Sequence, residues 1–340
     1  MTGIVPENTG ASEHCPIVPT RGCGLRLGLC CIFVAQPIKF RNTTVKHALS
    51  LSRDARLGKL AGLCERNAGA LMQALAYCAA HGIGDFRVNS QVLPLKSHPQ
   101  AGYAMNELPQ GDRIVEQFLD CGRFAREHGL RLSLHPDQFI LLSSPDTGIT
   151  ERSISELLYH AEVAEWIGAD VINIHGGGAY GDKRTALERV HARLDRLPEK
   201  LRSRLTFEND DRTYTPVDLL PLCRSAGVPL VYDVHHHRCL PDMLSVEEAT
   251  QEALMSWPAD REPMFHLSSP LDGWEQPKPQ RHHDMIEPCD VPECWLELPR
   301  TVTIEVEAKA KEKAVLALAD SLRACRQGRA CNSTSPQSSA

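Results

Sequence analysis

Eight short apolar runs, separated by longer amphipathic segments, constrain the fold of this chain more than any other feature. Runs of this length that are rich in Val, Ile and Leu are typical of buried strands. The predicted strands span residues 25–33, 85–89, 130–135, 170–175, 204–209, 229–234, 264–269 and 302–308.

The segments between these runs show the three-and-four residue spacing of amphipathic helices. Residues 56–82 and 151–168 each end at a glycine, as helices commonly do, and Thr150 is the expected N-cap of the second. Residues 270–300 contain Pro and Trp and are expected to be irregular. Further helices are expected at 215–226, 245–256 and 308–325.

Strands that alternate with helices in this way form a parallel sheet covered by helices. Eight strand–helix units over about 300 residues favour a (β/α)₈ TIM barrel, an α/β fold with outer helices. An open doubly wound sheet is the alternative. The glycine-rich stretch HGGGAYG at 175–181 has neither common nucleotide-binding spacing, so no nucleotide cofactor is expected.

The predicted catalytic domain is a single barrel over residues 25–325. Residues 1–24 are expected to be a flexible leader, and residues 326–340 a disordered polar tail. No apolar run suits a membrane helix, and the N-terminus does not resemble a secretory signal. Thirteen scattered cysteines without a Cys-x-x-Cys pair are typical of reduced thiols. We therefore expect a cytoplasmic protein, and a monomer.

The formal net charge of −6, from 37 basic and 43 acidic residues, is by itself unlike that of a nucleic-acid-binding protein. It does not exclude one, because the count omits bound cations. Three divalent ions would cancel this charge, and they would do so at the binding site itself.

Ionisable residues stand at the C-terminal ends of six consecutive predicted strands, where a (β/α)₈ barrel builds its active site. One histidine after a strand is usually an ordinary loop residue, but an unpaired carboxylate inside an apolar strand is costly. Six such strand ends in succession predict a metal centre. The residues are His135, His175, Glu208, Asp233 followed by His235, His236 and His237, then His266, and finally Glu305 and Glu307.

The donor types narrow the choice of metal. Imidazole mixed with carboxylate, without thiolate, suits Mn²⁺, Zn²⁺ or Fe²⁺ better than Ca²⁺ or Mg²⁺ alone. The donors exceed the needs of one ion, so two or three divalent ions are expected. Neighbouring ions serve displacement at phosphorus, because they hold the attacking and leaving oxygens together. Sugar isomerisation also uses such centres, and this alternative stays open.

Several longer motifs follow one another between Arg26 and Leu318: FRVNSQVLPLKSHP, LSLHPDQF, GGGAYGDK, VYDVHHHRC, HLSSP, RHHDMI and VEAKAKEKA. In this order they resemble the UV damage endonucleases, which share a barrel superfamily with endonuclease IV and xylose isomerase. The resemblance implies a DNA repair enzyme that nicks damaged double-stranded DNA immediately 5′ of cyclobutane pyrimidine dimers and (6-4) photoproducts. It implies Mn²⁺ first among the ions, with Zn²⁺, Mg²⁺ or Co²⁺ as alternatives.

The resemblance also implies roles for individual residues. The implied metal ligands are His135, His175, Glu208, Asp233, His236, His266, His282 and Glu307. His282 is preferred because the family pattern places its histidine two residues before the aspartate, and the adjacent His283 stays open as the alternative. The implied catalytic residues are Glu208, Glu307, His98 and Lys309. The implied contacts to DNA and to the lesion come from Gln138, Phe139, Tyr180 and Leu29. Gln138 and Phe139 would fill the gap that a lesion leaves when it is turned out of the duplex.

Three residues depart from the family pattern. Phe139 stands where some relatives have tyrosine, and Leu29 stands where some have an aromatic residue. Met264 stands where some have a lysine that becomes modified near the metals. These differences remove a hydroxyl, a stacking partner and a modification site, but none affects the implied ligand set.

Three other functions share parts of this pattern. An abasic-site endonuclease of the endonuclease IV type differs only in its substrate. A sugar isomerase would ignore DNA and is disfavoured by HPDQF and KSHP, which follow the nuclease pattern. A binding protein with a purely structural centre is disfavoured because such a site closes with four ligands and needs no surplus.

Overall fold

The computed structural model describes residues 16–137 and 139–326. Eight parallel strands close into a barrel in chain order, with the last strand paired to the first. Each strand lies within a predicted run, so the predicted (β/α)₈ TIM barrel is confirmed. The strands are β1 Leu25–Cys30, β2 Asp85–Val88, β3 Arg131–Leu134, β4 Val171–His175, β5 Leu205–Glu208, β6 Leu230–Asp233, β7 Met264–Leu267 and β8 Val302–Val306.

Helices cover the outside of the barrel. In the described part of the chain they are α1 Val45–Leu49, α2 Arg53–His81, α3 Gly111–Glu127, α4 Thr147–Ile167, α5 Lys183–Leu194, α6 Glu199–Arg202, α7 Pro216–Ala226, α8 Val234–Cys239, α9 Val246–Ser256 and α10 Glu312–Arg326. The predicted N-cap of α4 was wrong. Asp146 caps this helix by accepting a hydrogen bond from the Ile149 amide, so Thr150 lies inside the first turn.

Residues 270–300 are irregular, as the sequence predicted. They contain short 3₁₀ turns at Pro288–Asp290 and Glu293–Glu297 and an isolated antiparallel bridge between Pro270 and His282. The three consecutive histidines do not form a loop. They lie on α8, which begins directly after β6, and the Asp233 side chain caps this helix by accepting from the His236 amide at 2.7 Å.

The two faces of the strands differ in polarity. Leu29, Phe86 and alternate residues of the other strands face outward and pack against the helices in one apolar core. The remaining positions point into the barrel and are mostly polar. Gly28 leaves room there for Asp85, since a Cβ on Gly28 would come within 2.5 Å of an Asp85 carboxylate oxygen.

Part of the predicted leader contacts the barrel. Val18 is buried and exchanges two backbone hydrogen bonds with Leu25, at 2.7 and 2.8 Å. Helix α10 ends at Arg326, one residue into the predicted tail. Residues 1–15 of the predicted leader and residues 327–340 of the predicted tail lie outside the described residues. None of the described helices combines the length and hydropathy that a membrane span requires.

Most of the described cysteines are free thiols, ten in number. Cys325 is an exception, because it is disulfide-bonded. The expectation of reduced thiols therefore does not extend to every cysteine.

Candidate metal centre

The strand register brings the predicted ligands to one level of the barrel. His175 is the register partner of Glu208, and Asp233 is the partner of His266. Because these positions share the inward face of their strands, their side chains meet over the axis of the barrel. We call the group that meets there, together with its buried neighbours, the mouth cluster. It comprises Arg87, His135, His175, Glu208, Asp233, His236, His266, Glu305 and Glu307.

Glu208 lies at the centre of the mouth cluster and is 1% exposed. Its Oε2 lies 3.0 Å from His135 Nε2 and 3.9 Å from His175 Nε2. Its Oε1 lies 3.1 Å from His266 Nδ1 and 3.4 Å from His236 Nδ1. One carboxylate thus faces four imidazoles, two on each oxygen.

His266 is surrounded by carboxylates and is wholly buried. Its Nε2 lies 3.0 Å from Glu305, and its Nδ1 lies 3.6 Å from Glu307 and 4.0 Å from Asp233. Together with Glu208, four acidic side chains therefore lie within 4.0 Å of this ring.

Seven of the eight implied ligands fall into three groups whose donor atoms lie within 4.8 Å of one another. The groups are His135–His175–Glu208, Glu208–Asp233–His236 and Asp233–His266–Glu307. They share Glu208 and Asp233, so a carboxylate stands between neighbouring sites. His282 is outside these groups, with its Nδ1 3.8 Å from Glu307 Oε2. A further group, Cys30–Glu305–Glu307, was not predicted.

The donors of the mouth cluster fit divalent cations. Asp233 Oδ2 and His175 Nδ1 are buried without a hydrogen-bond partner. A buried polar atom left in this state costs about 1–3 kcal/mol. Cations would give these atoms partners, and mixed imidazole and carboxylate donors suit Mn²⁺ or Zn²⁺.

The charges at the mouth favour the metal-binding forms of the acids. Burial alone would raise the pKa of Glu208, but the neighbouring His266 and His175 hold it well below its ordinary value. Burial opposes ionisation of Glu307 too, and Arg87 and His266 outweigh it, so the pKa of Glu307 is also lowered. Burial lowers the pKa of His175, which favours the neutral imidazole that a metal binds. Burial acts on His266 in the same direction, but Glu208 and Glu305 outweigh it and raise the pKa of this ring.

Backbone carbonyls set the tautomers of two ligand histidines. His236 Nδ1 lies 3.0 Å from the Asn209 carbonyl, and His135 Nδ1 lies 3.1 Å from the Pro136 carbonyl. A carbonyl only accepts, so each Nδ1 carries a proton. His135 Nε2 then faces Glu208 Oε2 at 3.0 Å, and these two acceptors need a proton or a cation between them.

Comparison with known proteins gives the family of the chain. The family model described as UV-endonuclease UvdE matches residues 25–335. The chain belongs to this family. It is 35% identical to a UV DNA damage endonuclease of Deinococcus radiodurans over 320 residues, which are 90% of this chain and 97% of that protein. The protein is therefore an endonuclease of UV-damage repair, with DNA as its substrate.

Solved structures agree with this placement. The crystal structure of SacUVDE superposes with a TM-score of 0.77 at 28% identity, over 88% of this chain and 99% of that one. Endonuclease IV from Thermus thermophilus gives a TM-score of 0.54 at 17% identity, over 76% of this chain and 95% of that one. The second likeness shows a common fold alone.

The two histidines beside His236 have different surroundings. His237 lies between the Tyr232 hydroxyl at 2.8 Å and the Asp242 carboxylate at 3.1 Å, so it links β6 to the loop before α9. His235 is buried, and its ring centroid is 5.1 Å from those of Trp274 and His282. The contacts of His237 are those of a structural residue.

Two residues of the mouth cluster, Arg87 and Glu305, were missed or left without a role in the sequence-based ligand set. Arg87 Nη1 contacts Glu307 at 2.6 Å and Glu305 at 3.0 Å. Glu305 also accepts from the Ser133 hydroxyl. The signal for Arg87 was present in the sequence, because an arginine inside the short strand DFRV needs a buried acidic partner.

The remaining implied catalytic residues lie outside the three ligand groups. His98 Nδ1 accepts from the Gln100 and Ala101 amides, at 3.1 and 3.2 Å, which leaves Nε2 for another partner. This ring lines a cavity of about 670 Å³ between the loops after β2 and β3. Lys309 is exposed just after β8, with its amide bonded to the His283 carbonyl.

The residues implied in DNA contact differ in exposure. The Phe139 side chain is 72% exposed and Tyr180 is 45% exposed, so neither is a core residue. Leu29 is 0% exposed because it faces the helices, and the structure places it in the core, away from the barrel opening. Gln138 lies outside the described residues. Met264 is buried against Val171, Val231 and Trp257.

Proposed function

We propose that this chain is a divalent-cation-dependent endonuclease that nicks duplex DNA immediately 5′ of UV photoproducts and leaves a 3′-hydroxyl. The observation that carries the proposal is the set of three ligand groups that share Glu208 and Asp233 at the barrel mouth. A structural metal site closes with four ligands, whereas shared carboxylates between adjacent sites are typical of phosphodiester hydrolysis.

The ligands in this proposal are the eight implied by the resemblance, with Glu208 and Glu307 as the carboxylates nearest the reacting phosphate. When bound, two or three ions, Mn²⁺ foremost, supply a water of lowered pKa and a positive charge for the leaving oxygen. Glu208 and Glu307 remain ionised at neutral pH because their pKa values are lowered. Lys309 follows β8 and His98 lies in the connection after β2, and both are assigned to phosphate oxygens.

Exposed apolar side chains support DNA contact at the same end of the barrel. Among the described residues, seven large hydrophobic side chains are exposed, and all but Met255 lie in connections that follow the C-terminal ends of strands. A contiguous apolar patch marks an interaction surface, whereas exposed side chains scattered singly do not, so the support comes from their shared position at the mouth end. They are Ile32, Val34, Leu49, Phe139, Tyr180 and Met243.

Phe139 is the proposed wedge, together with Gln138. A crosslinked pyrimidine pair must leave the stack before its 5′ phosphate reaches the mouth, and an exposed ring can replace the lost stacking. A damaged step costs less to open than an intact one, which gives selectivity for photoproducts. Tyr180 is assigned to the backbone of the same strand, near the glycine-rich loop after β4.

The test is a nicking assay with Mn²⁺ and a duplex oligonucleotide that carries one defined photodimer. We expect a single nick immediately 5′ of the dimer, with a 3′-hydroxyl product, and no cleavage after chelation. Matched duplexes without damage and with one abasic site are the controls. Cleavage of the abasic duplex alone would replace this proposal with an abasic-site endonuclease. Cleavage of neither duplex with any of Mn²⁺, Zn²⁺, Mg²⁺ or Co²⁺ would overturn it.

A further inference from the structure

A buried amide and a buried hydroxyl lie one layer below the mouth cluster. Asn173 on β4 and Thr206 on β5 are register partners, two residues before His175 and Glu208 respectively. All four side chains therefore point into the barrel. Asn173 is 1% exposed and Thr206 is 0% exposed, so water cannot replace the hydrogen bonds that they make.

The hydroxyl determines which way the amide faces. Thr206 Oγ1 donates to Asn173 Oδ1 at 2.9 Å, and Asn173 Nδ2 donates to Glu208 Oε2 at 2.6 Å. A reversed amide would place its oxygen against the carboxylate oxygen of Glu208, with no proton between two acceptors. The observed chain of hydrogen bonds, from the Thr206 hydroxyl to the Asn173 amide and on to the Glu208 carboxylate, avoids this contact between two acceptors.

Glu208 is the residue for which this orientation matters most. Its carboxylate belongs to two of the three ligand groups, so the plane of one side chain directs donors to two cation sites. A hydrogen bond to a carboxylate is stronger than one between neutral groups. The bond from Asn173 uses one lone pair of Oε2 and leaves another for a cation.

We propose that Asn173, oriented by the Thr206 hydroxyl, is a positioning residue that fixes the Glu208 carboxylate and so sets the divalent-cation affinity of the mouth cluster. The inference rests on the proposed metal dependence and deepens it. Side chains that orient metal ligands contribute about 10- to 100-fold to metal affinity. We expect Asn173→Ala to weaken Mn²⁺ binding by about that factor.

The experiment titrates chelator-treated full-length protein with Mn²⁺ and follows free Mn²⁺ by electron paramagnetic resonance. Thr206→Val keeps the shape of the side chain but removes the hydroxyl, whereas Thr206→Ser keeps the hydroxyl. We expect Thr206→Val to lose several-fold in Mn²⁺ affinity, and Thr206→Ser to retain the affinity of the parent. Nicking by Thr206→Val should recover at saturating Mn²⁺.

A control separates orientation from general loss of packing. Thr303 is also a buried barrel threonine whose hydroxyl donates to a glutamate, Glu262, at 2.6 Å, but at the opposite end of the barrel. Thr303→Val should lower thermal stability without changing Mn²⁺ affinity. If Thr206→Val and Thr206→Ser bind Mn²⁺ with equal affinity, the inference is wrong. This comparison decides the matter even if Asn173→Ala does not fold. If the parent itself binds no Mn²⁺, the proposed metal dependence fails first.

Discussion

The two ends of the barrel interior hold similar residues in opposite electrostatic states. At the N-terminal end lies a group that we call the floor cluster, in which Arg26 contacts Glu262 at 2.8 Å and Arg131 contacts Asp170 at 2.8 Å. At the mouth, four carboxylates face one guanidinium and the imidazoles of His266 and His236, whose pKa values the acids raise despite burial. One negative charge is left over even when both of these rings are protonated. The floor cluster comprises Arg26, Arg131, Asp170, Arg261 and Glu262.

The difference teaches how to distinguish a structural polar cluster from a functional one. Each acid of the floor cluster has an arginine partner from another part of the chain, whereas Asp233 Oδ2 in the mouth cluster has no hydrogen-bond partner. Asp85 on β2 also lacks one, but burial and Glu305 raise its pKa, which favours the neutral acid there. Buried charges are retained without partners only where a ligand supplies them. The floor should therefore support folding, and the mouth should oppose it until cations bind.

The largest expected effect is on catalysis. Glu208→Gln should reduce nicking of photodimer DNA by at least about a thousandfold, because it removes a shared ligand and several kcal/mol of transition-state stabilisation. The matched floor variant, Glu262→Gln, changes a half-buried glutamate that is paired with Arg26 and should nick at nearly the parent rate. Single-turnover assays at saturating Mn²⁺ measure both. Equal losses in the two variants would contradict the distinction.

The next effect is stabilisation by cations. Mn²⁺ at about 100 times its dissociation constant should stabilise the parent by roughly 2.7 kcal/mol, since it binds the folded state alone. Scanning calorimetry with and without chelator measures the shift. Glu262→Gln should keep the increment and Glu208→Gln should lose it. A similar increment in both variants would place the cations away from the mouth.

The barrel and most of the ligand set were predictable from the sequence for a physical reason. Parallel strands alternate their side chains with a period of two and carry function at one end, so His135, His175, Glu208 and Asp233 were bound to converge. The same period explains Leu29, which is two residues from Leu27 and shares its outward, apolar face. Leu29 lies near the C-terminal end of β1, but its side chain faces the helices and not the mouth cluster.

Other features depended on partners far along the chain. The contact of Arg87 with Glu305 spans 218 residues, and no local pattern specifies it. The choice of His236 came from family resemblance, because only tertiary contacts show that His237 is held by Tyr232 and Asp242. The role of Asn173 was not predictable for the same reason, because a single polar residue in an apolar strand does not indicate which residue accepts its hydrogen bond.

A smaller effect concerns the floor and its dependence on pH. Burial alone would raise the pKa of Glu262, but Arg26 and Thr303 lower it below its ordinary value. The ionised acid thus stabilises the fold above its unfolded pKa, and this stability is lost as pH falls through the folded pKa. Glu262→Gln should cost about 2 kcal/mol at neutral pH, less than a fully buried pair.

Urea unfolding of the chelated protein at several pH values measures this cost. The difference between the parent and Glu262→Gln should shrink as the solution becomes acidic, because the parent then loses the same charge. A difference that stays constant down to acid pH would mean that packing, and not the ion pair, accounts for the cost.

The smallest expected effect has the opposite sign and gives the sharpest contrast. Asp233 is wholly buried, and its Oδ2 has no hydrogen-bond partner. Asp233→Asn keeps an oxygen to cap α8 and removes one negative charge, so it should stabilise the metal-free protein by about 0.5–1 kcal/mol. That corresponds to a rise of roughly 1–3 °C in Tm.

At the floor, the same chemical change should act in reverse. Asp170→Asn weakens a pair with Arg131 and should lower Tm with or without Mn²⁺. Asp233→Asn should raise Tm only under chelation, and with Mn²⁺ the parent should become the more stable protein, because the variant lacks a shared ligand. The decisive measurement is whether the order of the Tm values of the parent and Asp233→Asn reverses when Mn²⁺ replaces the chelator. If Asp233→Asn lowers Tm under chelation as Asp170→Asn does, the mouth is a satisfied structural cluster like the floor, and the case for a cation site there loses its physical basis.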